Sequence, residues 1–179
     1  IQTVLIDFDG VLLARNTHEL VLPSPEKALD MVLKDIDSML TLLTPEQAER
    51  LAGIGLAQPF NLGSWVRQLD LPADSFKRWD KVDFAEQLET ATDIPVYSEN
   101  DGTAAAIAEL FYGVGRLMDD FLYIFVGPGI GGGLVLNGDC MRGVTGNAAD
   151  VGLMPVPPSK LASAPKPKGQ WDILLNRAS

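Results

Sequence analysis

Val126-Gly127-Pro128-Gly129-Ile130-Gly131-Gly132-Gly133-Leu134-Val135-Leu136-Asn137-Gly138 places five glycines within seven residues. It continues an apolar run, Phe121 to Val126, whose β-branched and aromatic composition is that of a buried strand. Leu134-Val135-Leu136 reads as a returning strand, and Asn137-Gly138 is a turn signal. The expectation is a hairpin whose bend carries almost no side chains. Glycine permits positive φ and lets a ligand approach backbone amides closely, and successive N–H groups in such a bend can cradle an anion. Gly127, Gly129, Gly131, Gly132 and Gly133 are therefore candidate phosphate-binding residues, the alternative being a glycine turn without a ligand. The stretch is neither a Walker A loop nor a GxGxxG turn opening a helix. Pro128 also removes one N–H donor.

Upstream of the hairpin, Asp83 to Thr92 reads as a helix with an aspartate cap, and Asp93-Ile94-Pro95 leads into a short strand at Val96-Tyr97. Ser98-Glu99-Asn100-Asp101 follows, then a small-residue helix from Gly102. Asp101 thus sits between a strand end and a helix start, where ligands of open α/β sheets bind. With Asn100 beside it, its carboxylate could take a proton from a hydroxyl; equally, it could only cap the helix.

The first third supplies the covering elements. Residues 1–8 and Val11 to Ala14 read as strands about an Asp9-Gly10 turn. Ser24 and Pro25 start a helix whose apolar positions run from Ala28 to Leu43 at helical spacing. Thr44-Pro45-Glu46-Gln47 starts a short helical turn, and Arg50 to Ala57 reads as another buried strand. Gln58 to Lys81 is irregular and carries Trp65 and Trp79, rings suited either to stack on a sugar or to pack the core. Pro155 to Lys168 is rich in proline and lysine and reads as a loop or tether. The alternation of strands and helices predicts an α/β fold with a mixed sheet flanked by helices.

Composition bounds the function. The chain has 179 residues, 46% hydrophobic and 21% charged, with 24 acidic against 14 basic residues and a net charge of −10. It has no basic stripe for nucleic acid and no apolar run long enough to span a bilayer. The single cysteine, Cys140, excludes an internal disulfide and a multi-cysteine zinc site; it reads as a small buried residue, and the cytoplasm is the expected compartment. The single histidine, His18, is expected at the surface or in a structural role.

Five segments together resemble the ROK family (repressors, open reading frames, kinases). Pro95 to Asp101 with Ala104-Ala105-Ala106 and Glu109 is similar to its END segment, and Val126 to Gly138 to its GTGIGGG loop with NG turn. Gly143 to Leu153 is similar to its GxxGxAGExGH stretch, Ile6 to Arg15 to its second and third strands, and Gly53-Ile54-Gly55 to its GxGxPG strand. The resemblance implies the actin-like, ribonuclease-H-like ATPase fold. Residues 1–113 would form the N-terminal lobe without its first strand, and 114–179 the start of the C-terminal lobe with the glycine hairpin and the Pro/Lys-rich tail. It also implies Asp101 as general base or its vestige, with Asn100, Asp101 and Asp150 as sugar contacts, and phosphate at the glycines. The partner would be a sugar or sugar phosphate, and the assembly a homodimer.

Several family positions differ. The loop threonine is Pro128, the sugar-binding glutamate is Asp150, and the zinc-binding histidine is Leu153. The cysteine cluster falls on Lys166, Lys168 and Ile173, with Leu175 at a second sugar glutamate. No zinc is therefore expected, and ATP with Mg²⁺ only if the chain is a kinase. The DxGxT turn of the family, and the helix-turn-helix domain through which its repressors reach DNA, would precede Ile1. These differences favour the sugar-sensing core of a transcriptional regulator with a degenerate site. A sugar kinase is the alternative, and a decayed relative kept for its folding surfaces a third.

Overall fold

Gln2–Ile6 (β1) and Leu12–Thr17 (β2) pair antiparallel, from Gln2 opposite Thr17 to Ile6 opposite Leu12, with a bulge where the register shifts between Leu5 and Ile6. The turn between them is fixed by the Asp7 carboxylate, which accepts from the N–H groups of Asp9 at 3.0 Å and Val11 at 2.8 Å. A computed structural model describes residues 1–59, 77–127 and 130–157 of the chain. These residues divide into two compact units: 1–56 with 77–98, and 57–59 with 99–127 and 130–157.

In the first unit, helix α1 (Pro25–Leu40) begins as its sequence predicts, with the Ser24 hydroxyl accepting from Lys27 N–H and Pro25 at the first helical position. A short helix, α2 (Pro45–Ala48), carries a complete capping box, Thr44 and Gln47 each accepting from the other's backbone N–H. β3 (Ile54–Gln58) starts four residues later than the expected strand at Arg50. It pairs with β4 (Val96–Asn100). Helix α3 (Phe84–Thr92) is capped by Asp83, whose carboxylate accepts from Glu86 N–H at 3.0 Å.

The core of this unit gathers around Ala28, Trp79 and Phe84, packed by Leu22, Leu29 and Val32. Trp79 is buried; its indole N–H donates to the Pro23 carbonyl at 2.9 Å, and its ring lies 5.2 Å from that of Phe84. Of Trp65 and Trp79, the second thus packs the core, and the first lies outside the described residues. A polar latch joins α1 to the hairpin. Asp35, nearly buried, accepts from Thr3, Asn16 and His18, each at 2.9 Å. Burial alone would push this carboxyl up, but the three hydrogen bonds outweigh it and hold it below the ordinary aspartate value. The lone histidine is structural.

The second unit is a helix laid on a three-stranded meander. Helix α4 (Asp101–Tyr112) follows β4 without a loop. β5 (Phe121–Val126), β6 (Ile130–Leu136) and β7 (Asp139–Met141) pair antiparallel in sequence order. The Asn137-Gly138 signal holds, with φ of 53° and 73° at the two residues. Ala106, Val135 and Cys140 form the buried centre, with Ile107, Leu110, Phe121 and Tyr123 around them. Helix α4 is therefore packed on the glycine hairpin. The described strands form three small sheets, of two, two and three strands.

Candidate functional site

Asn100, Asp101, Gly131, Gly132, Gly133 and Asp150 all belong to the second unit, and the backbone draws them together. Strand β4 ends at Asn100, which is buried; its side-chain oxygen accepts from the N–H groups of Gly102 at 3.0 Å and Thr103 at 3.1 Å. Asn100 is thus the helix cap. This corrects the reading of Asp101 as the cap: Asp101 is the first residue of α4, one position too late for that role. Its carboxylate accepts from the adjacent Gly102 N–H at 2.9 Å, and its own backbone N–H also favours the charged form. Burial raises the Asp101 carboxyl above the ordinary aspartate value, against the lowering effect of the Gly102 and Asp101 backbone N–H groups.

The glycines are arranged differently from the expected bend. Gly131, Gly132 and Gly133 lie within β6, opposite Phe125, Ile124 and Tyr123, so their backbone belongs to an antiparallel ladder. Of the expected phosphate-binding glycines, only Gly127 lies in the described part of the bend, while Gly129 and the neighbouring Pro128 lie outside the described residues. Close packing accounts for the absent side chains in β6. A Cβ on Gly102 would strike the Gly132 carbonyl oxygen, and one on Gly133 would strike Ala106 and come within 2.5 Å of the Gly102 carbonyl oxygen. A Cβ on Gly132 would sit 2.5 Å from the Tyr123 carbonyl oxygen and 3.4 Å from that of Ala149.

That last neighbour brings in Asp150. Buried Ala149 and Val151 flank it and lie against Gly132, and a 3₁₀ turn (Val151–Leu153) follows. The Asp150 carboxylate is exposed and accepts from the Asn147 amide at 3.3 Å; partial desolvation raises it, which the Asn147 bond opposes. The first turn of α4, the glycine strand and residues 149–151 therefore form one continuous cluster, with two carboxylates of raised pKa and the Asn100 cap. Such a group offers oxygen acceptors for the hydroxyls of a polyol and a carboxylate able to accept a hydroxyl proton.

Two contacts here lie outside the residues singled out from sequence. Glu99 pairs with Arg142 at 2.6 Å, and Asn147 holds Asp150. The first had a signal: Arg142 is the only basic residue between Arg116 and Lys160. Among the described residues no group of three metal-ligating side chains comes together: Leu153 offers no donor atom, and the Cys140 thiol is buried 3.9 Å from the Thr103 carbonyl oxygen and pushed up by desolvation. Lys166, Lys168, Ile173 and Leu175 lie outside the described residues. No helix among the described residues is long and apolar enough to cross a membrane.

The chain is similar to proteins of two kinds. It is 25% identical to the xylose repressor of Bacillus subtilis over 97% of its own length and 44% of that protein. It is 33% identical to a β-glucoside kinase of Listeria innocua over 75% of its own length and 47% of that protein. A ROK family glucokinase from Streptomyces griseus, solved with glucose and AMPPNP, superposes with a TM-score of 0.58 at 24% identity, over 86% of this chain and 46% of that one. The chain thus spans less than half the length of these relatives. Its fold is that of the ROK sugar kinases, the actin-like ATPase fold. The model of the ROK family matches residues 1–170, and the chain belongs to that family.

Proposed function

We propose that this chain is the sugar-sensing core of a ROK-family transcriptional regulator, with a degenerate, zinc-free sugar site. The observation that carries the reading is the replacement pattern around an otherwise complete cluster. Asn100 and Asp101 stand at the head of α4 beside the glycine strand. Asp150 stands one methylene short of a glutamate, and Leu153 supplies no metal ligand. A binding site tolerates such losses better than a phosphoryl-transfer site, where catalysis is almost all positioning and electrostatics. In this reading Asn100, Asp101 and Asp150 hydrogen-bond sugar hydroxyls, and the parent protein reaches DNA through a separate domain as a homodimer.

The second reading is a sugar kinase, favoured by the retained Asp101, whose raised carboxyl would serve as general base toward a sugar hydroxyl. ATP with Mg²⁺ would supply the phosphoryl group, the stretch from Gly127 to Gly133 holding its phosphates. An ADP-release assay on the full-length parent protein, with ATP, Mg²⁺ and a panel of hexoses and pentoses, separates the two. The sensor reading predicts no sugar-dependent release. Release that disappears in Asp101→Asn would replace it with the kinase reading.

A further inference from the structure

The segment that carries Asp150 is anchored at both ends. At its far end, buried Ala149 and Val151 lie against Gly132. At its near end stands Arg142, directly after β7, and its Nε donates to Glu99 Oε2 at 2.6 Å. Between the anchors the backbone turns through Gly143 and Gly146, both at positive φ, and folds so that Gly143 lies against Ala148. Asn147 then bonds Asp150.

Glu99 is the residue before Asn100, and its second oxygen, Oε1, accepts from the Asn100 backbone N–H at 3.1 Å. One carboxylate therefore holds both the backbone of the helix cap and the start of the Asp150 segment. The Glu99 side chain is 20% exposed and that of Arg142 53%, so the pair is less screened than a fully exposed surface pair. The two residues are 43 positions apart in the chain, so no local geometry would place them together. Neither belongs to the sugar contacts named above.

We propose that the Glu99–Arg142 ion pair is a positioning device that fixes Asp150 relative to Asn100 and Asp101 and so sets the affinity of the site without touching the ligand. The proposal rests on the reading of this cluster as a sugar site. With the pair intact the start of the 143–150 segment is tied to the helix cap; with it broken, the segment is held only by the pairing of Met141 with Leu134 at one end and the Ala149–Val151 contacts at the other, and Asp150 is fixed less tightly relative to Asp101. Arg142→Gln and Glu99→Gln keep side-chain size and remove one charge each, and glutamine at 99 still offers an oxygen to Asn100 N–H.

The test is a double-mutant cycle on the 179-residue chain, read by calorimetric titration with D-glucose, D-xylose and glucose 6-phosphate and by amide hydrogen exchange across residues 143–150 without sugar. Each single variant is expected to weaken binding by roughly 3- to 10-fold and to speed exchange in the segment, with the double variant no worse than either single. The thermal midpoint should stay nearly unchanged, and Arg142→Lys should recover part of the affinity. Unchanged affinity overturns the proposal whatever the exchange rates, as does a loss of affinity that merely follows a loss of stability. If the unaltered chain binds none of these sugars, the sugar-site reading fails separately. The exchange arm then still decides whether the pair holds the segment.

Discussion

Gly102 and Gly132 meet backbone to backbone where helix α4 starts against strand β6, and neither has room for a methyl group. Helix propensity alone would make Gly102→Ala stabilising by up to about 1 kcal/mol. The collision with the Gly132 carbonyl oxygen reverses that sign. Gly102→Ala and Gly132→Ala are each expected to destabilise the chain by about 1–3 kcal/mol, read as a lower urea midpoint. An unchanged or higher midpoint would mean that the helix sits farther from the strand.

The cap assignment separates Asn100 from its neighbour. Asn100→Ala should cost about 1–2 kcal/mol, because two helix N–H groups lose their shared acceptor. Asn100→Asp, which keeps an acceptor in place, should cost much less. Chemical denaturation of the two variants checks this, and equal losses would refute the capping role.

Asp101 gives a pH signature. Its carboxyl is raised in the folded chain, so the folded state binds protons more readily than the unfolded state, and stability contributed by the neutral form is lost as pH rises. The loss begins near the ordinary aspartate value of about 4 and is complete above the folded value. Asp101→Asn removes the titration, so its stability relative to the original chain should rise with pH across that window. Urea unfolding at several pH values shows whether the gap grows or stays flat, and a flat gap contradicts a desolvated carboxylate.

Asp35 behaves in the opposite sense. Its folded value is lowered, so its contribution is present above the ordinary aspartate value and lost as pH falls through the folded value. Asp35→Ala removes the acceptor of Thr3, Asn16 and His18 together. A destabilisation of about 2–3 kcal/mol is expected, shrinking in acid. A loss that persists undiminished at low pH would show that packing, rather than the charge, matters there.

Elements whose signals are local were legible in the sequence. The Ser24-Pro25 start, the helical turn begun at Thr44 to Gln47, the Asp83 cap and the Asn137-Gly138 turn each depend on a few adjacent residues, and the structure shows all four. The cap at the head of α4 was misread because Asn and Asp are both good caps and stand side by side; only the end of β4 decides between them. The glycines were legible as a hairpin, but the close packing of Gly132 and Gly133 on α4 was not. Whether a bare backbone meets a ligand or a packed helix depends on α4, about thirty residues upstream. Arg142 and Glu99 were hidden for the same reason, since their contact exists only once β7 lies beside the β4–α4 junction.

The central claim, that the cluster around Asn100, Asp101 and Asp150 is a sugar site that works without nucleotide, is tested most directly by calorimetric titration of the chain with unphosphorylated and phosphorylated hexoses and pentoses, no ATP being present. The account predicts saturable binding of at least one of them, weakened at least tenfold by Asp150→Ala. Absence of any saturable heat, or binding indifferent to Asp150→Ala, would contradict it.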